Sequence, residues 1–126
     1  MNFISYNSTG LDTIKADWIR DLMTTCKSSF FQLQEHFKST KSLDKYFKDQ
    51  FPACESYVIP GDRQPNQDSG RARGGLAQLC DKYLEVRKER IPSKSFRVQA
   101  QVLHFGDYKL LWLNAYFPHG PQSGKF

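Results

Sequence analysis

Ser29-Phe30-Phe31-Gln32-Leu33-Gln34-Glu35 is a short apolar run closed by a carboxylate. Its length and its large apolar residues Phe30, Phe31 and Leu33 predict a buried strand. Upstream, residues 2–6 lean apolar and run into Asn7-Ser8-Thr9-Gly10, which reads as a strand ending in a loop. Between the two, Leu11, Ile14, Trp18 and Leu22 recur at steps of three and four behind a capping Asp12 or Thr13, a helical pattern. Strand, helix, strand implies a right-handed crossover and a parallel pair. Asn7 and Glu35 then emerge at one edge of the sheet, where open α/β sheets bind ligands. A carboxylate placed there is a candidate ligand for Mg²⁺, which takes one or two carboxylates plus waters and phosphate oxygens.

Downstream, Leu43, Phe47 and Phe51 at steps of four predict a helix over 42–51, stopped by Pro52. Cys54 to Ile59 reads as a third strand, closed by Pro60-Gly61, and the composition from there to Arg73 is that of a loop. Gly75 to Cys80 is a short apolar strand, while the charged stretch to Lys94 has no clear period. Phe96–Phe105 and Tyr108–Phe117 are strand-like runs around Gly106-Asp107, and a glycine first in a two-residue loop suits a type II′ hairpin. The expected fold class is α/β, a mixed β-sheet flanked by helices, in a single domain without internal repeats.

The chain has 126 residues, which suits one domain, and its longest apolar runs, such as Leu110 to Leu113, are far too short to cross a bilayer. No basic stretch precedes an apolar one at the N-terminus, so a secretory signal is not expected. Cys26, Cys54 and Cys80 are odd in number and widely spaced, which fits neither a disulfide framework nor a CxxC site. The expectation is reduced, mostly buried thiols in an intracellular protein. The net charge of +5 is uneven: residues 1–59 carry seven basic and seven acidic side chains, whereas residues 60–97 carry nine and five. A local basic segment with the glycine-rich run Gly70-Arg71-Ala72-Arg73-Gly74-Gly75 suits a polyanion such as a nucleic-acid backbone, because each neutralised phosphate releases counterions. A solvated charged loop explains the same run.

Four stretches together resemble a known superfamily: Ser5-Tyr6-Asn7-Ser8-Thr9-Gly10-Leu11, Phe31-Gln32-Leu33-Gln34-Glu35-His36, Arg73-Gly74-Gly75-Leu76-Ala77 and Leu113-Asn114-Ala115-Tyr116-Phe117-Pro118. In order and spacing they are similar to the N-terminal half of the endonuclease/exonuclease/phosphatase superfamily. The spelling most resembles the endonuclease domains of LINE-type non-LTR retrotransposons, with apurinic endonucleases as cousins. The resemblance spans residues 1–126 and implies the first half of a four-layer α/β sandwich that hydrolyses phosphodiesters with Mg²⁺ or Mn²⁺. Position by position it implies Glu35 as metal ligand, Asn7 as a holder of metal and phosphate, and Tyr116 as a contact to the scissile phosphate. It implies that Arg71, Arg73, Gly74 and His119 lie toward DNA, although His119 stands where apurinic endonucleases carry asparagine. No catalytic role is assigned to His36, and His104 reads as structural.

Such proteins continue with a Gly-Asp-x-Asn segment and a late Asp-His pair, and this sequence contains neither. The expectation is a partial domain with an incomplete site, little or no nuclease activity, and exposed edge strands and Phe-rich surface. The implied partners are DNA and either the remaining half of the domain or a downstream reverse transcriptase. The implied location is intracellular and nuclear. A non-catalytic nucleic-acid-binding remnant and a phosphatase of the same superfamily remain open beside the endonuclease.

Overall fold

Strand β2 (Phe30–Gln34) is the axis of the fold, in a computed structural model that describes residues 2–39, 42–61 and 73–117. It pairs in parallel with β1 (Phe3–Asn7), as the crossover requires, and antiparallel with β4 (Leu76–Asp81), which in turn pairs antiparallel with β3 (Cys54–Ile59). These four strands form one sheet in the order β1-β2-β4-β3. A second, antiparallel sheet has the order β5 (Arg87–Ile91), β6 (Val98–Phe105), β7 (Tyr108–Ala115).

The alternation of β2 explains the layering, since successive side chains point to opposite faces. Phe31 and Leu33 join Ala77 and Leu79 of β4 under the helices α1 (Thr13–Thr25) and α2 (Leu43–Gln50). Phe30 faces the second sheet, stacked on Phe3 with ring centroids 4.4 Å apart and edge-on to Trp112 at 5.4 Å. Helices, sheet and sheet thus make three layers.

Helix α1 begins where expected, with the Asp12 carboxylate accepting from the Lys15 N–H at 2.8 Å. Its core-facing side runs through Ala16 and Ile19, with Leu11 buried and Leu22 packed against the core as expected, whereas Ile14 is 80% exposed and Trp18 47%. Trp18 instead lies against Tyr6, centroids 4.9 Å apart, on the flank of the edge strand β1. Helix α2 packs through Leu43 and Phe47, with Phe51 buried at its end. The hairpin register pairs Phe105 with Tyr108, and Gly106 has φ +53, as a type II′ turn demands at its first position.

The charged stretch before Lys94, which has no clear period, contains β5, whose Lys88 pairs with Glu55 at 3.0 Å and whose Arg90 guanidinium lies 4.5 Å from the Tyr57 ring centre. Charged residues can face a neighbouring layer here because their stems pack while their heads find partners. Cys26 is exposed, so the thiols are not mostly buried; all three are free. The exposed apolar surface is also not mainly phenylalanine, for Leu111 and Leu113 on β7 join Phe3, Phe96 and Phe117.

Amide side chains tie the two sheets together. Asn114 of β7 donates to the carbonyls of Leu33 at 2.9 Å and Ala77 at 3.2 Å and accepts from the Gln34 amide at 2.8 Å. Gln99 donates to the Tyr57 carbonyl at 2.7 Å, and Gln101 to the Gln78 amide oxygen at 3.0 Å. A buried polar network specifies one alignment of the layers because misalignment strands every member without a partner. That alignment fixes where the end of β7 arrives.

Candidate functional site

Parallel pairing brings Asn7 level with Gln34, so Asn7 and Glu35 leave the sheet at the same edge. The loop after β1 is bound to the chain after β2. The Gly10 and Ser8 N–H groups donate to the carbonyls of Glu35 and Gln34 at 2.7 and 2.9 Å, and the Ser8 hydroxyl donates to the Glu35 carbonyl at 2.9 Å. Lys15 braces the loop from α1, its ammonium donating to the Ser8 carbonyl at 2.7 Å and the Gly10 carbonyl at 3.0 Å.

Glu35 itself has φ +59, a left-handed conformation that costs a non-glycine residue on the order of 1 kcal/mol. Its N–H donates to the Gly75 carbonyl at 2.8 Å, which with the bonds to its own carbonyl holds the residue in that state. The backbone is turned so that the carboxylate leaves the strand beside β7. There it lies beside Tyr116. Burial, then the nearby Glu35 carboxylate, raise the Tyr116 phenol above its ordinary range, while Arg97 and Arg73 pull the other way. The phenol remains a donor at neutral pH.

His36 turns inward. It is buried, its Nδ1 accepts from the Lys38 N–H at 3.0 Å, and its Nε2 therefore carries the hydrogen donated to the Ile59 carbonyl at 2.9 Å. Burial, with a lesser push from the Lys38 charge, lowers its pKa to about 4. It is a neutral packing residue that locks the chain beyond Glu35. Gly75, at φ +97, lies flat against this ring, and a Cβ there would fall 2.6 Å from Nδ1. Gly74 lets the Tyr116 ring approach, 3.5 Å from where its own Cβ would be. His104 sits in β6 beside Arg87, 3.2 Å from Nδ1, at the far end of the hairpin.

Glu35 offers a cation one carboxylate. Asn7 offers less than expected, because its Oδ1 already accepts from the Thr9 N–H at 3.1 Å and the Thr9 hydroxyl at 3.2 Å. Both lone pairs are thereby used, and the amide hydrogens are what the exposed Asn7 presents outward. Among the described residues no group of three or more His, Cys, Asp or Glu side chains forms a metal cluster. The donor set fits a hard cation held by Glu35 with water and phosphate oxygens completing the shell, and direct ligation by Asn7 requires its turn to open.

Arg73 is exposed at the start of the segment leading into β4, Gly74 is buried, and both lie beside Tyr116. Arg71 and His119 lie outside the described residues. Arg97 belongs to this edge and escaped the motif reading. Its carbonyl accepts the Tyr116 N–H at 2.9 Å, and only the hairpin register reveals the pairing. A cavity of about 480 Å³ lies at the other end of the sheet, among Arg20, Met23, Phe51, Cys54 and Asp81. No helix of the described residues is long and apolar enough to cross a membrane.

No family model matches the chain, and no curated protein does. Solved structures match its fold. An AP endonuclease, LMAP from Leishmania major, superposes with a TM-score of 0.66 at 19% identity over 89% of this chain and 38% of its own. TDP2 from Caenorhabditis elegans superposes with a TM-score of 0.57 at 19% identity over 94% of this chain and 36% of its own. A truncated form of the same protein is covered over 47%. The chain has the α/β fold of the endonuclease/exonuclease/phosphatase superfamily and spans between a third and a half of these neighbours' lengths.

Proposed function

We propose that this chain carries the phosphate-facing edge of a DNA endonuclease of the apurinic-endonuclease and retrotransposon kind, acting on nuclear DNA, and that it has little or no nuclease activity alone. The observation that carries the reading is the meeting of the Glu35 carboxylate with the Tyr116 hydroxyl, under the charges of Arg73 and Arg97, at the edge where Asn7 emerges. A divalent cation, Mg²⁺ or Mn²⁺ in its place, would take the Glu35 carboxylate and polarise the phosphate. Tyr116 orients that carboxylate and, still protonated, can donate to a phosphate oxygen. Asn7 supplies amide hydrogens to another oxygen, and Arg73 clamps the backbone as a charged fork. Arg71 and His119 extend the same DNA-facing surface in this reading, and the remaining half of the domain or a reverse transcriptase is the protein partner.

Weak activity follows from the donor set. Phosphodiester hydrolysis needs an activated water as well as a polarised phosphate, and among the described residues no group of three or more His, Cys, Asp or Glu side chains gathers beside Glu35. The same fact favours the second reading, a nucleic-acid-binding module that cleaves nothing. The excess of basic charge in residues 60–97 favours a polymeric phosphate over a small phosphatase substrate, which makes that reading the weakest. Nicking of supercoiled plasmid with Mg²⁺, by the 126-residue chain and by Glu35→Gln with circular dichroism on both, tests the proposal. A folded parent that binds DNA without nicking it is the expected result. Nicking abolished by Glu35→Gln would overturn the inactivity and keep the enzyme, and absence of both binding and nicking would overturn the reading.

A further inference from the structure

We infer that strand β7 is an interaction surface for a second copy of this chain, the two β7 strands pairing antiparallel to join two three-stranded sheets into one. Each sheet has two lateral edges, and the two sides of the molecule differ. On one side lie β3 and β5. Four of the five residues of β5 are charged, Lys88 reaches across to Glu55 at 3.0 Å, and the Arg90 guanidinium donates to the Ser56 carbonyl at 3.2 Å, taking up a backbone acceptor of β3. Charges and occupied backbone groups keep an edge from pairing with another chain. On the other side lie β1, with no charged residue, and β7, whose only charge is Lys109 near its start. Neither strand contains proline, and β7 is eight residues long. A long edge with so little charge is a template for a further strand.

The side chains make this edge self-complementary. Leu111 and Leu113 are exposed on the outer face of β7, while Trp112 between them points toward the first sheet and meets Phe3, ring centroids 5.8 Å apart. Directly opposed residues of an antiparallel pair project from the same face. A two-fold axis through Trp112 therefore sets Leu111 of each copy against Leu113 of the other, and Lys109 against Ala115. The leucines are then paired, and the two lysines sit at opposite ends of the ladder. The same operation on β5, centred on Glu89, would set Lys88 against Arg90 and Glu89 against itself, like charges face to face. Beneath β7 a cleft of about 320 Å³ runs along Phe3, Gln32 and Leu110, and the Gln32 amide oxygen is buried without a partner among the described residues. A donor from a neighbouring chain would satisfy it.

The test is the mass of the full chain in solution, by light scattering over a range of protein concentrations, with circular dichroism on every sample. The samples are the parent, Leu111→Lys/Leu113→Lys, Leu111→Lys/Leu113→Glu and Tyr83→Lys. Tyr83 is the control, an exposed aromatic in the turn after β4. The parent and Tyr83→Lys are expected at twice the mass of one chain. Leu111→Lys/Leu113→Lys is expected to fall to the mass of one chain, because each opposed leucine pair becomes a pair of like charges. Leu111→Lys/Leu113→Glu is expected to regain the doubled mass, because each lysine then faces a glutamate of the other copy. A doubled mass that survives in the two-lysine variant, or that the lysine and glutamate variant does not regain, overturns the inference. A parent at the mass of one chain overturns it as well, and leaves this edge to the remaining half of the domain.

Discussion

The four-stranded sheet ends on one side in a recess of about 480 Å³ and on the other at the edge where Asn7 and Glu35 emerge, and the convergent chemistry is at that edge. In the recess several of the polar groups are already paired. Arg20 is bound to Asp17 and Gln50, the Asp81 carboxylate accepts from the Tyr83 N–H, and burial pushes the Cys54 thiol up to about 11. At the edge, a left-handed Glu35, two exposed arginines and an amide with outward hydrogens converge. Exposed positive charge beside a carboxylate suits a phosphate-bearing polyanion.

The largest effect should come from filling the close approach that builds the edge. Gly75→Val adds both a forbidden φ and an overlap with His36, a cost of about 4 kcal/mol. Urea denaturation should find the variant mostly unfolded, and a midpoint near the parent's would mean that His36 moves aside freely. Asn114→Leu comes next, at about 3 kcal/mol, because Gln34, Gln99 and two carbonyls lose their shared partner in a buried interface. Its stability should fall while a Lys109→Gln control stays within error.

His36 gives a comparable effect with pH as the variable. Its folded pKa of about 4 lies below the unfolded value of 6.5, so the unfolded chain binds the extra proton between them. The contribution of neutral His36 is complete above pH 6.5, is lost as the pH falls through about 4, and amounts to about 3 kcal/mol. Unfolding free energies in chelator should show this one-proton loss in the parent and not in His36→Gln. Equal pH slopes in the two would show that His36 is not held neutral.

Much of the edge could be read in the sequence, and the reasons it could are local. The crossover from β1 to β2, the bounds of β3, and the two-residue hairpin each rest on short-range pattern and turn chemistry. The buried face of α1 did not, because Ile14 and Trp18 keep the helical spacing as well as Ile19 does, and only the small Ala16 allows the close packing that chooses between them. Strand β5 was hidden because Lys88 and Arg90 find partners on another sheet, Glu55 and Tyr57. Gln78, Gln99 and Gln101 look like solvent-facing residues until the second sheet covers them. Arg97 depends on pairing nineteen positions apart in the chain, which no motif carries.

The smallest expected effect is also the sharpest test of the comparison between the two ends. Lys27 lines the recess just before β2 begins, and Arg73 stands at the edge where β2 ends. Reversing either charge changes the net charge of the chain by the same amount. A five-residue strand is roughly 17 Å long, about twice the screening length of roughly 8 Å at physiological salt. DNA bound along the edge should therefore ignore Lys27→Glu, with affinity within about twofold of the parent, and respond to Arg73→Glu by more than tenfold. If the two reversals weakened duplex binding equally at that salt, the phosphates would be reading the overall charge of the chain, and the edge would lose its claim to be the binding surface.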